Sequence, residues 1–303
     1  MYDLIIIGSG PAGLSAAVYG KRAALDLVVL EKNPMSGGQV LNTYEVDNYL
    51  GMPGTDGFDM GMRFREHADK LGVEFKEGTV LSIEDLGDRK LVHTDGGDLE
   101  AKAVILAAGA EHALLGVPGE ERLGGKGVSY CATCDGAFFR GKTVAVVGGG
   151  DVALEDAIYL SRTCEKVYLI HRRDELRGAA VLQQELFGKP NAEILYSHVV
   201  EEIQGGETVE GLLVKNLGSG ESFTLPVSGV FVAVGIRPGT ELVRELVSCD
   251  ENGYVLAGED CATDRPGLFA AGDVRRKPLR QIATAVADGA NAAVSAANFS
   301  HGK

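Results

Sequence analysis

The chain has 303 residues, 45% hydrophobic and 24% charged, which is a globular composition with enough length for two cores of ordinary size. Its formal charge of -14 argues against nucleic acid and anionic membranes as partners, since both are recognised through basic surface. No apolar run approaches the ~20 residues of a membrane helix, and the N-terminus lacks the basic and longer apolar regions of a signal peptide, so a cytoplasmic address is expected.

Residues 3–7 read as a short apolar strand running into Gly8-Ser9-Gly10-Pro11-Ala12-Gly13, then a helical stretch from Leu14 to Tyr19, then the strand 27–30 ending on Glu31. In this order the glycines permit a tight turn, close approach of backbone to a pyrophosphate, and tight helix–strand contact, while the helix N-terminus offers free N–H groups to phosphate. Glu31 lies 23 residues after Gly8, where a carboxylate would accept hydrogen bonds from a ribose. A glycine-rich turn with a chance acid would fit the string; the flanking strand and helix favour a dinucleotide.

The strand 104–110 closes on small residues and leads into the turn Gly116-Val117-Pro118-Gly119. Next comes Cys131-Ala132-Thr133-Cys134-Asp135. Two intervening residues suit a short reversible disulfide, the spacing commonly lowers one thiol pKa towards ~7, and Asp135 is placed to exchange a proton with a dithiol. Half of a zinc site and a pair of buried thiols are the competing readings. Zinc would need two further ligands, and Cys164, Cys249 and Cys261 form no second pair at zinc spacing, so no metal is expected and these three read as packing residues.

The strand–glycine–helix unit then recurs. Residues 143–147 lead into Gly148-Gly149-Gly150-Asp151-Val152-Ala153, a helical run to Leu160, and the strand 167–170, which ends at His171, again 23 residues after the first glycine. Where the first copy has Glu31, the second has His171-Arg172-Arg173, with Arg177 about a helical turn beyond. Guanidinium groups bind a 2′-phosphate bidentately and a carboxylate would repel it, so the first site suits an unphosphorylated ribose and the second suits NADP. A solvated charge run is the competing reading. Residues 229–238 form another strand and Gly/Pro turn, and the two Gly/Pro-marked crossings read as linkers of an inserted domain, near Gly109–Pro118 and Gly235–Thr240. Finally, the strand 267–271 ends on Gly272-Asp273 before a small-residue helix over 283–297. So late a strand is expected back in the first sheet, which would bring Asp273 to the first nucleotide; an ordinary turn aspartate is the alternative.

Taken together, GSGPAG at 8–13, GGQ at 37–39, CATCD at 131–135, GGGDVA at 148–153, HRR at 171–173 and AAGD at 270–273 resemble the low-molecular-weight thioredoxin reductases, in order and over essentially the whole chain. The resemblance implies an α/β fold with two Rossmann-like dinucleotide-binding domains, an NADPH domain over 114–243 inserted into an FAD domain over 1–113 and 244–303. It implies FAD contacts at Gly8, Gly10, Gly13, Glu31, Gly38, Gln39, Asn48, Asp273 and Gln281, and NADPH contacts at Gly148, Gly150, His171, Arg172, Arg173 and Arg177. By the same resemblance Cys134 meets the flavin, Cys131 exchanges with a thioredoxin or thioredoxin-like protein, Asp135 is the acid, and the protein is a homodimer. Val152 departs from a usual Ser or Thr, and Gly178 from a common Ala, which bears on NADPH affinity.

The implied activity is NADPH-dependent reduction of thioredoxin, with the inserted domain rotating between a flavin-reducing and a flavin-oxidising pose. A ferredoxin-fed reductase and a dithiol oxidase are rivals that would be expected to lack Arg172 and Arg173. A peroxiredoxin reductase would need a further domain that this chain is too short to hold. A non-catalytic FAD-holding redox sensor is the reading from outside enzymes.

Overall fold

The computed structural model describes residues 1–43, 46 and 48–302. These divide into two compact units, one formed by Met1–Glu111 with Arg237–Lys303, the other by His112–Ile236.

In the first unit the strand Tyr2–Ile7 is buried from Leu4 onward without alternation, as in a sheet covered on both faces. It pairs in parallel with Leu27–Glu31 on one side and Gly97–Leu106 on the other, and Glu74–Glu77 extends the sheet beyond Leu27–Glu31. Gly97–Leu106 serves two partners along its other edge. Its first half pairs antiparallel with Lys90–Thr94, whereas its last residues pair in parallel with Leu268–Ala270, Leu268 opposite Val104. The late strand therefore does return to the first sheet.

Two helices cross that sheet's face in close contact, Pro11–Arg22 and the alanine-rich Ile282–Ser300. Small residues allow the approach: a Cβ added at Gly289 would lie 2.1 Å from the Ala12 carbonyl oxygen.

The second unit repeats the plan. Its parallel sheet runs in the order Ala192–Tyr196, Lys166–His171, Thr143–Gly148, Gly229–Ala233, Val128–Ser129, with the helix Asp151–Ser161 following the central strand. A three-stranded antiparallel sheet, His198–Gln204, Gly211–Asn216 and Ser222–Pro226, follows. Strand order, parallel direction and position of the glycine turn match the first unit, so the duplication read in the motifs extends to the topology.

The two crossing segments, Ala110–His112 and Ile236–Pro238, pair with each other as a two-stranded sheet. Residues 237–243, assigned from the sequence to the insert, pack with the first unit instead: Val243 is an apolar side chain that fills its core beside Ile5 and Val28. Among the described residues no helix is long and apolar enough to cross a membrane.

Candidate functional site

In the first unit the chain leaves Ile7 through Gly8, at φ 99°, where an L side chain is strained and a Cβ would meet the Ala107 carbonyl oxygen at 2.5 Å. Gly13 is needed for contact within the turn, since its Cβ would lie 1.9 Å from the Gly8 carbonyl oxygen. Gly10 differs from both. Its backbone is extended, at φ -70° and ψ -176°, and the nearest atom to an added Cβ is the Gly38 Cα at 3.9 Å.

The second unit has the same odd glycine. Gly150 is extended, at φ -97° and ψ -177°, and nothing lies within 4 Å of an added Cβ. Neither strain nor packing accounts for glycine at these two helix N-termini. A ligand backbone or phosphate approaching the main chain does, and both turns therefore fit a pyrophosphate. Gly150→Ala is accordingly expected to leave the thermal midpoint within about 2 °C while weakening pyridine nucleotide binding at least about tenfold. Parallel melting and nucleotide titration of the variant would check this, and an unchanged affinity would remove the ligand explanation.

Glu31 sits at the end of its strand as expected, but its carboxylate is already engaged. One oxygen accepts from the Ser9 N–H at 2.8 Å and the Ser9 hydroxyl at 2.7 Å; the other accepts from the Asn33 N–H at 2.9 Å and its side-chain amide at 3.0 Å. A carboxylate has about four acceptor positions, so a ribose must replace one of these bonds. Around it, Gly37 N–H donates to the Ser9 carbonyl at 2.9 Å, which sets Gly38 against Gly10, and Gln39 is exposed in the same turn. Asn48 donates from its side-chain amide to the Gln281 side chain at 2.8 Å, joining residues 233 apart in sequence.

Asp273 follows the returning strand, and its neighbour Gly272 packs against Ala12 of the first glycine turn, where an added Cβ would come within 2.9 Å of the Ala12 methyl. Its Oδ1 is buried with no hydrogen bond among the described residues; the Lys277 ammonium is 4.0 Å away. Burial pushes the Asp273 carboxyl above its ordinary pKa, against the pull of Lys277 and Arg280. An orphaned buried acceptor beside the first glycine turn fits a hydroxyl-bearing ligand such as the polyol chain of a flavin nucleotide.

Asp288 holds this turn in place and carries no sequence signal beyond being an acid in a helix. Its carboxylate accepts from the Gly272 N–H at 3.0 Å, from Arg275 at 2.6 and 2.7 Å and from Lys277 at 2.8 Å. Burial would raise its pKa, but these cations outweigh burial and hold it below the usual range.

In the second unit the structure gathers Gly149, His171 and Arg177. The Gly149 carbonyl accepts from the Arg177 N–H at 2.7 Å and the Gly178 N–H at 3.2 Å, and a Cβ at Gly149 would lie 2.2 Å from the His171 ring. His171 itself is 4% exposed, with its Nε2 3.0 Å from the Glu175 carbonyl. Burial pushes its pKa down, more than its backbone hydrogen bonds raise it, so at neutral pH it is an uncharged ring supporting the turn. The cationic groups beside this turn are Arg172, Arg173 and Arg177, all exposed and none in an ion pair among the described residues; Asp174 and Glu175, which lie between them in sequence, are exposed as well. Gly178 has a local reason: Leu154 Cδ1 would lie 2.2 Å from an added Cβ. Val152 is 47% exposed on the helix that follows the turn.

The same unit carries the cysteines. Cys131 and Cys134 are joined by a disulfide, their Cα atoms 5.3 Å apart; Cys131 immediately precedes the short helix Ala132–Asp135 and Cys134 lies within it. The Ser129 hydroxyl, which the sequence did not single out, lies at the centre of the local network. It donates to Asp135 Oδ2 at 2.5 Å and accepts from the Cys131 N–H at 3.1 Å. Burial raises the Asp135 pKa above the ordinary carboxylate range, and the Ser129 bond offsets this only in part. Cys164 and Cys261 are buried and Cys249 is half-buried, all as thiols; burial pushes Cys261 up to about 12.

The sequence matches the family described as pyridine nucleotide-disulphide oxidoreductase over residues 2–289. It is 43% identical over 300 residues to the thioredoxin reductase of Listeria monocytogenes, covering 99% of this chain and 94% of the relative. It is 43% identical over 301 residues to that of Bacillus subtilis, covering 99% and 95%. The crystal structure of thioredoxin reductase from Streptococcus pyogenes superposes with a TM-score of 0.96 at 44% identity, covering 100% of this chain and 99% of that one. With two glycine turns shaped for nucleotides and a Cys-x-x-Cys disulfide in one chain, matched over nearly its full length, this protein belongs to the pyridine nucleotide-disulphide oxidoreductase family.

Proposed function

We propose that this chain reduces the disulfide of thioredoxin with electrons from NADPH, using FAD held by the Met1–Glu111 and Arg237–Lys303 unit and the Cys131–Cys134 couple of the other unit. The observation that carries the reading is the Cys131–Cys134 disulfide beside a raised-pKa Asp135, in the same compact unit as a glycine turn and three exposed guanidinium groups.

FAD is favoured for the first unit by Asp273, Asn48 and Gln281, and by an acid rather than a base at Glu31; NADPH is favoured for the second by Arg172, Arg173 and Arg177. Bound FAD supplies the two-electron step between nicotinamide and disulfide. Two electrons and two protons open the Cys131–Cys134 bond to a dithiol. Cys131, as thiolate, then attacks one sulfur of the thioredoxin disulfide and breaks it, forming a mixed disulfide. Cys134 attacks the Cys131 sulfur, restores the internal disulfide and releases the thioredoxin dithiol. Asp135 takes and returns the proton that thiolate formation moves.

The disulfide and the basic cluster ride on one unit, and both must reach the same flavin. That favours rotation of the His112–Ile236 unit as a body on its two crossing segments. Sustained multiple turnover after the two units have been crosslinked rigidly would refute the rotation.

The reading also carries a homodimer and a reducing, cytoplasmic setting, which sedimentation and fractionation test. The deciding experiment is stopped-flow mixing of the purified flavoprotein with NADPH or NADH, followed by addition of oxidised thioredoxin. NADPH is expected to bleach the flavin far faster than NADH, and one NADPH to be consumed per thioredoxin disulfide reduced. A yellow protein unreactive to NADPH would favour a redox sensor instead.

A further inference from the structure

Between the first crossing segment and the cysteines lies a buried carboxylate that the chemistry above does not use. Glu120 is 4% exposed. Its Oε1 accepts from the Leu115 N–H at 2.9 Å and from the Tyr130 hydroxyl at 2.9 Å, and its Oε2 accepts from the Gly116 N–H at 2.7 Å. A carboxylate so buried requires donors of this number and strength. Two of them come from the segment where the chain enters the unit, and the third comes from the residue immediately before Cys131.

Tyr130 is fixed on its other side as well. Its ring stacks on His112 with centroids 5.4 Å apart and an interplanar angle of 29°. Burial, together with the Glu120 carboxylate, pushes its phenol well above the ordinary range, so the hydroxyl remains a donor at any working pH. From Tyr130 the main chain passes directly to Cys131, whose N–H is held by Ser129, which in turn holds Asp135. Leu115 and Gly116 are thus linked through Glu120 and Tyr130 to both ends of the redox motif.

A carboxylate that only closed the turn over residues 115–120 would need the two amides and not a phenol ten residues away. We propose that Glu120 is a positioning residue for the Cys131–Cys134 couple: through Tyr130 it fastens the entering segment to the cysteine segment and holds the two sulfurs where they rejoin readily. The inference takes its significance from the function proposed above, but its test does not depend on thioredoxin.

Two thiols held in place behave as if at high concentration, which favours the disulfide; loosening the segment favours the dithiol. The full-length flavin-loaded protein would be equilibrated with dithiothreitol redox buffers, and the Cys131–Cys134 state read by alkylation and peptide mass spectrometry. Glu120→Ala is expected to move the equilibrium at least about tenfold towards the dithiol, which corresponds to about 30 mV. Tyr130→Phe, which removes one hydroxyl and keeps the ring on His112, should move it about threefold to tenfold the same way. Glu120→Gln should fall between Glu120→Ala and the parent chain.

A shift below twofold in both Glu120→Ala and Tyr130→Phe, or a shift towards the disulfide, would overturn the proposal. Where Glu120→Ala does not retain flavin, Tyr130→Phe decides alone by the same thresholds. Failure of the parent chain to reduce thioredoxin would count against the proposed function and leave this equilibrium measurement intact.

Discussion

Cys131→Ser is expected to lower thioredoxin reduction by at least about a thousandfold while leaving NADPH-driven reduction of ferricyanide within about twofold of the parent rate. Serine oxygen cannot form the mixed disulfide, so the exchange loses its reacting atom rather than a supporting contact. Ferricyanide accepts electrons without sulfur chemistry. Its rate reports whether the nucleotide sites and the fold survive, which is expected because Cys131 is half-buried and supplies only a short side chain to its surroundings. The companion Cys134→Ser separates the two sulfurs. It leaves Cys131 able to attack thioredoxin but removes the thiol that resolves the product, so a covalent complex should accumulate on a non-reducing gel. Cys131→Ser should form none. A complex trapped by Cys131→Ser and not by Cys134→Ser would reverse the roles given to the two residues.

Much of the architecture was legible because its signals are local and doubled. Continuous apolar strands that end in glycine and open into helices specify parallel sheets with helix cover. Finding that unit at residues 3–31 and again at 143–171 made an α/β protein with two nucleotide folds hard to mistake. The late strand 268–270 could be placed for the same reason, since an apolar strand needs a sheet to join.

What could not be read were side-chain environments set by distant residues. His171 looked like part of a basic cluster because its chain neighbours are arginines, yet strand alternation turns it inward beneath Gly149, where burial holds it neutral. Ser129 and Glu120 act through hydrogen bonds to groups six and ten residues further on, Asp135 and Tyr130, and no periodicity reports these. The end of the insert was placed too late because residues 237–243 follow a Gly/Pro turn in sequence, but the apolar Val243 belongs to the core of the first unit.

The burial of His171 sharpens the expectation for coenzyme choice, because it leaves the arginines to carry the charge. Arg172 and Arg173 are exposed and in no ion pair among the described residues, on a chain with a net charge of -14, so a 2′-phosphate meets local positive charge against an acidic background. Hydrogen bonds to charged groups contribute about 1.5–3 kcal/mol each. Removing both guanidinium groups in Arg172→Ala/Arg173→Ala should therefore cost about 3–6 kcal/mol, or roughly a hundredfold to ten-thousandfold in kcat/KM for NADPH. NADH lacks the phosphate, so its kcat/KM should change by no more than about threefold, and the preference between the coenzymes should collapse. Arg172→Lys/Arg173→Lys should lose less, because ammonium keeps the charge but not the planar fork that grips two oxygens. The loss should also shrink as salt rises, since exposed charges are screened over about 8–10 Å near physiological ionic strength. A double alanine variant that kept its NADPH preference would remove the second glycine turn as the NADPH site. One that lost NADPH and NADH activity equally would show that the two arginines support the turn itself and do not read the phosphate.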